Sequence, residues 1–250
     1  PLRLRQFVIR DRIKLLFRLT AISLLLVLSN IGFSQTVNLG ILTSFEAFTA
    51  SGDITNSGGT VTGDVGSHVG TNIGFSSPLY TGNTYSANAA TAQARFDMFR
   101  LYIHLNDLFV DFPNALDPIN FPAHSPFFGG GEVISPGVYY IFSAANITAQ
   151  LTLDGGGDPD ARFVIKANGA LTIDAGAEIL LTGGAKSCNV FFLANGSITA
   201  AAGAIVKGTL FSRAGAVGLA ADCELEGRML TMGGAITMAL GAVSGPPPCT

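Results

Sequence analysis

Charge is scarce in this sequence. Charged residues fill only 12% of its 250 positions, about half the share usual in a globular domain. That scarcity, with 31 Gly, argues against a helical bundle and for stacked short strands joined by tight turns. Basic residues become scarcer still past position 34. Residues 1–34 hold six of the 14 Lys and Arg but only one acid, Asp11, of the 17 Asp and Glu, leaving 8 basic against 16 acidic residues, a net charge of −8. A chain this acidic has no electrostatic footprint for nucleic acid or for an anionic membrane. The three histidines, His68, His104 and His124, have no second ligand at fixed spacing, so no metal site is expected and no cofactor. No Gly-rich phosphate loop follows a strand and opens a helix, and no Ser or Cys has a base within reach.

Long apolar runs are missing too. The longest candidate, Leu19 to Leu28, falls well short of the ~18 to 20 residues a membrane-spanning helix needs. It follows Arg3, Arg5, Arg10, Arg12, Lys14 and Arg18 and precedes the small residues Gly32 and Ser34, the n-region, h-region and cleavage site of a secretory signal. We expect residues 1–34 to be removed, leaving a secreted or cell-surface chain with no stable membrane anchor. The 216 residues beyond suit one all-β domain over 35–245, with 246–250 as a Pro-rich tail or linker.

What the sequence does have is an internal repeat. Ser197–Gly215 overlies Ala216–Gly234 in a register of 19, a further copy begins at Ala235, and an earlier one, Ala170–Ile179, precedes the first by 27 residues with Thr182–Asn189 as an inserted loop. A period near 20 means a solenoid. Leu171, Ile198, Val217 and Ile236 share one column, and Ile173, Ala200, Leu219 and Met238 share the column two residues on. Burial at period two makes this a strand with alternate residues facing out. Two more strands stack Ile179, Val206 and Leu225, then Val164, Phe191, Leu210 and Met229. The result is a triangular coil that buries its interior only when stacked.

Cysteine is sparse, at three. Cys223 falls in the column of Ala177, Ala204 and Ala242, which implies a buried free thiol. Cys188, in the inserted loop, and Cys249, in the tail, are the better disulfide pair.

Ahead of the coils, Ser86 to about Phe109 lacks Gly and Pro and sets Phe96, Phe99, Ile103 and Leu108 at helical spacing, with Met98, Leu101 and Leu105 widening the stripe. One long helix is expected, docked on a solenoid side whose outward column is Ile165, Phe192, Phe211 and Leu230. Ser44–Tyr80 reads as further coils at one end.

Several segments then carry a resemblance. Thr55–Gly66, Ser135-Pro-Gly-Val-Tyr139 running into Leu151–Ala161, Gly184–Phe192 and Gly227-Arg228 together resemble the ice-binding-like family of microbial β-solenoid proteins. The resemblance covers nearly all of residues 37–243. It implies a mostly β fold, a discontinuous right-handed parallel β-helix with one α-helix along a face, and in many members adsorption to ice through a flat face.

The strand opening each coil is the candidate for such a face. It is expected to project Thr152, Thr172, Thr199, Ala201, Gly218, Ala220, Thr237 and Ala239, together with Asp154 and Asp174. Thr and Ala repeating at ~4.8 Å between strands and ~6.6 Å along them can hold water in an ice-like array. The same residues also simply suit an exposed ladder. Gly218 and the aspartates are imperfections, because a carboxylate keeps its own hydration. An Asp154–Asp174 pair would be the acid and base of a polysaccharide-cleaving enzyme, but no aromatic platform, His or basic residue accompanies it. Asp154-Gly-Gly-Gly-Asp-Pro-Asp160 fits no EF-hand spacing and reads better as a Gly-rich turn braced by Asp than as a calcium loop. The leading expectation is therefore a monomeric, non-enzymatic ice-binding protein whose partner is the ice surface. A glycan- or protein-binding adhesion module is the alternative.

Overall fold

A computed structural model describes residues 37–108 and 127–247; the expected signal segment, Phe109, His124 and Cys249 lie outside the described residues. Every strand pairing among them is parallel, and the strands form three ladders. One sheet stacks Phe127–Gly129, Ala145–Thr148, Leu171–Ile173, Ile198–Ala200, Val217–Leu219 and Ile236–Met238, and then continues onto Ile54–Asn56 and Asn72–Ile73. The chain order is thus broken. The N-terminal coils stack on the last C-terminal coil, with Thr55 opposite Thr237 and Ala47 opposite Met229. The fold is a discontinuous parallel β-helix.

The inner columns of this sheet follow the repeat as expected: Leu171, Ile198, Val217 and Ile236 are in register, as are Ile173, Ala200, Leu219 and Met238, and all are buried. Cys223 is likewise buried with Ala177, Ala204 and Ala242. Its thiol donates to the Ala201 carbonyl at 2.8 Å, and burial pushes its pKa up.

The coil bends between the other two ladders within continuous strands, Ile205–Ser212 and Glu224–Thr231. Glycine is required at this corner. A Cβ on Gly227 would lie 1.8 Å from the Gly208 carbonyl oxygen, so only hydrogen leaves room for the neighbouring coil.

The third ladder departs from the sequence register by one residue. Phe191 pairs with Thr209, and Phe192 with Leu210. Ile165, Phe192, Leu210 and Met229 therefore point into the solenoid, while Val164, Phe191, Leu193, Phe211 and Leu230 point out. The expected inward places of Val164 and Phe191 and outward places of Ile165 and Phe192 are exchanged. The inserted loop is one residue longer than the 27-residue offset implies and the following turn one shorter. Because both faces of this ladder are apolar, alternation could not reveal the slip.

Helix α1, Ala89–Asp107, covers the outward side of that ladder. Asn88 caps it, accepting from the Thr91 N–H at 3.0 Å while the Thr91 hydroxyl accepts from the Asn88 N–H at 2.9 Å. This reciprocal box, rather than Ser86, sets the start. At the far end Lys166 Nζ donates to the carbonyls of Asn106 and Leu108, at 2.9 and 2.7 Å, placing a cation at the negative end of the helix dipole. Nineteen residues span about 28 Å, close to six strand spacings. That is the length needed to return the chain to the end of the stack where the C-terminal coils begin.

Only part of the expected stripe packs. Ala94, Met98, Leu101 and Leu105 are buried against Phe191, Phe211 and Leu230. Phe96, Phe99 and Ile103 are 55%, 50% and 42% exposed. Both sets satisfy helical spacing, and the stripe containing Ala94, with Met98, Leu101 and Leu105 unbranched at Cβ, lets the helix lie closer to the sheet.

Where the N-terminal coils meet the last C-terminal coil, Arg228 donates through Nε to the Leu42 carbonyl (3.2 Å) and through Nη2 to that of Thr43 (3.0 Å). Glu46, fully buried beside it, accepts from the Ser244 hydroxyl. Burial holds the Glu46 pKa well above the carboxylate range. This explains the Gly227-Arg228 motif: glycine clears the corner and arginine ties the last coil to the first.

Candidate functional site

Strand pairing decides which of the expected residues share a surface. The outward column of the uncovered sheet runs Asn146, Thr172, Thr199, Gly218, Thr237, Thr55, Ile73, each opposite the next. A second row, Ala201, Ala220 and Ala239, follows at the strand ends. These residues are half-buried, held where each chain turns by Ala204 N–H donating to Ala201 O (3.1 Å) and Ala242 N–H to Ala239 O (3.2 Å). Thr199 and Thr237 are exposed. All of the expected face residues except Thr152 and Asp154 therefore lie on this side, and Thr55, which sequence periodicity missed, joins them. Thr55 lies 182 positions before Thr237 in the chain, so no local repeat could have found it.

Thr152 is the first exception. It pairs with Leu180 and Val133 on a different ladder and is buried. Its place in the column is taken by Asn146. Leu151-Thr-Leu-Asp154 imitates Leu171-Thr-Ile-Asp174 at a 20-residue spacing, but that coil carries the Gly155–Arg162 turn, and its true offset is 26, Ala145 to Leu171. Asp154 consequently sits opposite Thr182, whereas Asp174 follows Ile173 on the open sheet. The two carboxylates are on different ladders, which removes the pairing an acid–base mechanism would need. The Asp154–Asp160 loop is a braced turn: Asp154 accepts from the Gly156 N–H at 3.1 Å, and Asp158 from the Asp160 N–H at 2.9 Å.

The open sheet carries little charge. Asp174 follows the Thr172 strand, and Asp53 precedes Ile54 at the edge, its pKa lowered first by the Thr71 N–H and then by the Thr71 hydroxyl. The neighbouring ladder is polar instead. Lys207 Nζ lies 2.6 Å from Glu226 Oε2, Gln150 donates to Glu178 at 3.0 Å, and Glu224 is exposed. The third side is occupied by α1. One of the three sides is thus hydroxyl- and methyl-bearing and nearly uncharged. Among the described cysteines, Cys188 is disulfide-bonded and Cys223 is free.

Residues 48–244 match the family model described as Ice-binding-like. An ice-binding protein of Nostoc sp. (strain HG1) is 32% identical over 82% of this chain and 73% of its own length. One from Flavobacterium frigoris (strain PS1) is 27% identical over 84% and 76%. The crystal structure of an ice-binding protein from an Antarctic bacterium of the Flavobacteriaceae superposes with a TM-score of 0.77 at 33% identity, covering 86% of this chain and 48%, about half, of that one. That of the Antarctic ascomycete Antarctomyces psychrotrophicus superposes at 0.74, with 28% identity, over 83% and 97%. With its repeat register, returning helix and broken strand order matched along most of its length, the chain belongs to the ice-binding-like family.

Proposed function

We propose that this protein acts outside the cell by adsorbing to ice through the open sheet, slowing crystal growth or recrystallisation. The observation that carries the reading is the strand-by-strand register of Thr172, Thr199, Thr237 and Thr55 beside the Ala201, Ala220 and Ala239 row. Parallel strands hold these groups at the fixed ~4.8 Å spacing a crystalline surface demands. Each contact is weak, and affinity comes from many groups meeting the lattice together. A rigid stacked backbone keeps the ordering cost of that encounter low. The experiment is recrystallisation inhibition by the purified chain, combined with adsorption of fluorescently labelled protein to a single ice crystal. Coated crystal planes and slowed coarsening are expected. Absence of both, with saturable glycan or protein binding, would replace the reading with adhesion.

A further inference from the structure

Gly218 lies at the middle of the threonine column, between Thr199 and Thr237. It lies in a shallow surface notch of about 350 Å³, walled mainly by Thr199, Ala216, Ala220, Thr237 and Ala239. Resting on the reading that this face adsorbs ice, we infer that the Gly218 notch limits adsorption by dividing the column into two pairs, Thr172–Thr199 and Thr237–Thr55.

Spacing makes the case. Two strand steps separate Thr199 from Thr237, ~9.6 Å at 4.8 Å per step. A water that hydrogen-bonds two groups sits ~2.8 Å from each, so none can span that gap. The notch wall is mostly apolar, with Thr199 and Thr237 on either side of Gly218, so a water resting midway has fewer polar partners than the two to four that fix one in place. The two threonine pairs therefore meet the lattice separately, with a patch of mobile solvent between them.

The same geometry leaves room for repair. Gly218 is in the strand Val217–Leu219 and needs no left-handed backbone, and a Cβ there meets only the Thr237 hydroxyl, at 3.1 Å. That contact is with an exposed side chain that can shift by a few tenths of an ångström. Threonine is also at home in a strand, where its branched Cβ packs on the pleat. Gly218→Thr would convert two runs of two threonines into one run of five, Thr172, Thr199, the new residue, Thr237 and Thr55.

The test compares thermal hysteresis and recrystallisation inhibition of Gly218→Thr, Gly218→Ala and Ala220→Lys with the parent at equal concentration, after circular dichroism and melting show each is folded. Joint engagement of neighbouring sites predicts a rise of about twofold or more for Gly218→Thr. A smaller rise is expected for Gly218→Ala and a large loss for Ala220→Lys, which places a hydrated charge on the same face. Activity of Gly218→Thr at or below the parent, with Ala220→Lys inactive, would overturn the role of the notch and leave the face in place. Full activity of Ala220→Lys would instead overturn the face itself. Should Gly218→Thr fold poorly, Gly218→Ala decides the matter by the same comparison.

Discussion

The open sheet and the helix-covered ladder are built from the same coils, yet they encode their geometry differently. On the open sheet one side is buried and the other solvated, so Ile198-Thr199-Ala200 and Ile236-Thr237-Met238 alternate, and the inward residue is evident at each position. On the covered ladder Phe163–Ala167 and Val190–Ala194 are buried throughout. Continuous burial erases the alternation that marks inside from outside. The same ambiguity extends to α1, where two apolar stripes compete for one sheet. Solvent contact is what makes a repeat readable.

The largest test of this contrast lies on the helix. Leu101, fully buried on α1, should cost about 2–5 kcal/mol when truncated to Ala, the range for a core leucine. Phe99→Ala, a bigger deletion at a half-exposed site, should cost less than about 1 kcal/mol. Denaturant titration of both variants measures the difference, and the reverse order would place the helix on its other stripe.

Much of the fold was legible for the same reason. The 19-residue register, the inner columns of the open sheet and the alanine column around Cys223 all follow from a solvated strand repeating with constant length. What misled was local similarity at a changed coil length. Thr152 imitates Thr172 through one tetrapeptide, and the 19-residue register sets Phe191 against Leu210 where the strands pair it with Thr209. Thr55, Glu46 and Ser244 were invisible for a different reason: their partners lie about 180 to 200 positions away, and only the closure of the broken solenoid brings them together.

That closure supplies the next test, since it buries an acid where the N-terminal coils meet the last C-terminal coil. An unfolded glutamate releases its proton near pH ~4.3, whereas burial keeps Glu46 protonated to well above that. The native state then binds more protons than the unfolded one, so the stability contributed by the neutral carboxyl is complete below pH ~4.3 and is lost as pH rises toward the folded value. Glu46→Gln, which cannot ionise, should match the parent in acid and flatten the decline of stability with pH. Melting curves across the pH range test this, and an unchanged slope would show that Glu46 is ionised in the fold.

A smaller effect belongs to Cys223. Its neighbours in the column are alanines, so Cys223→Ala should change stability by about 1 kcal/mol or less, the cost of one small buried atom and a weak thiol hydrogen bond. In the native protein the thiol should react with a labelling reagent only as fast as the coil opens. Rapid labelling without denaturant would break the inner register of the open sheet.

The smallest effect on folding, and the one that separates the two solvated sides from each other, is expected on the open sheet. Thr199 projects outward between the buried Ile198 and Ala200, so Thr199→Tyr leaves both in place. Glu224, on the polar ladder, is exposed as well. Each substitution should move stability by less than about 0.5 kcal/mol, as exposed changes do. Their consequences at an ice surface should nevertheless differ. A tyrosine ring in the middle of the threonine column holds the neighbouring strands away from a lattice they must meet together, whereas Glu224→Lys alters a side already wet and charged. Thermal hysteresis should be lost in Thr199→Tyr and kept in Glu224→Lys. The opposite result would move the adsorbing surface to the polar ladder, and loss in both would mean that the whole solenoid surface, rather than one sheet, meets the ice.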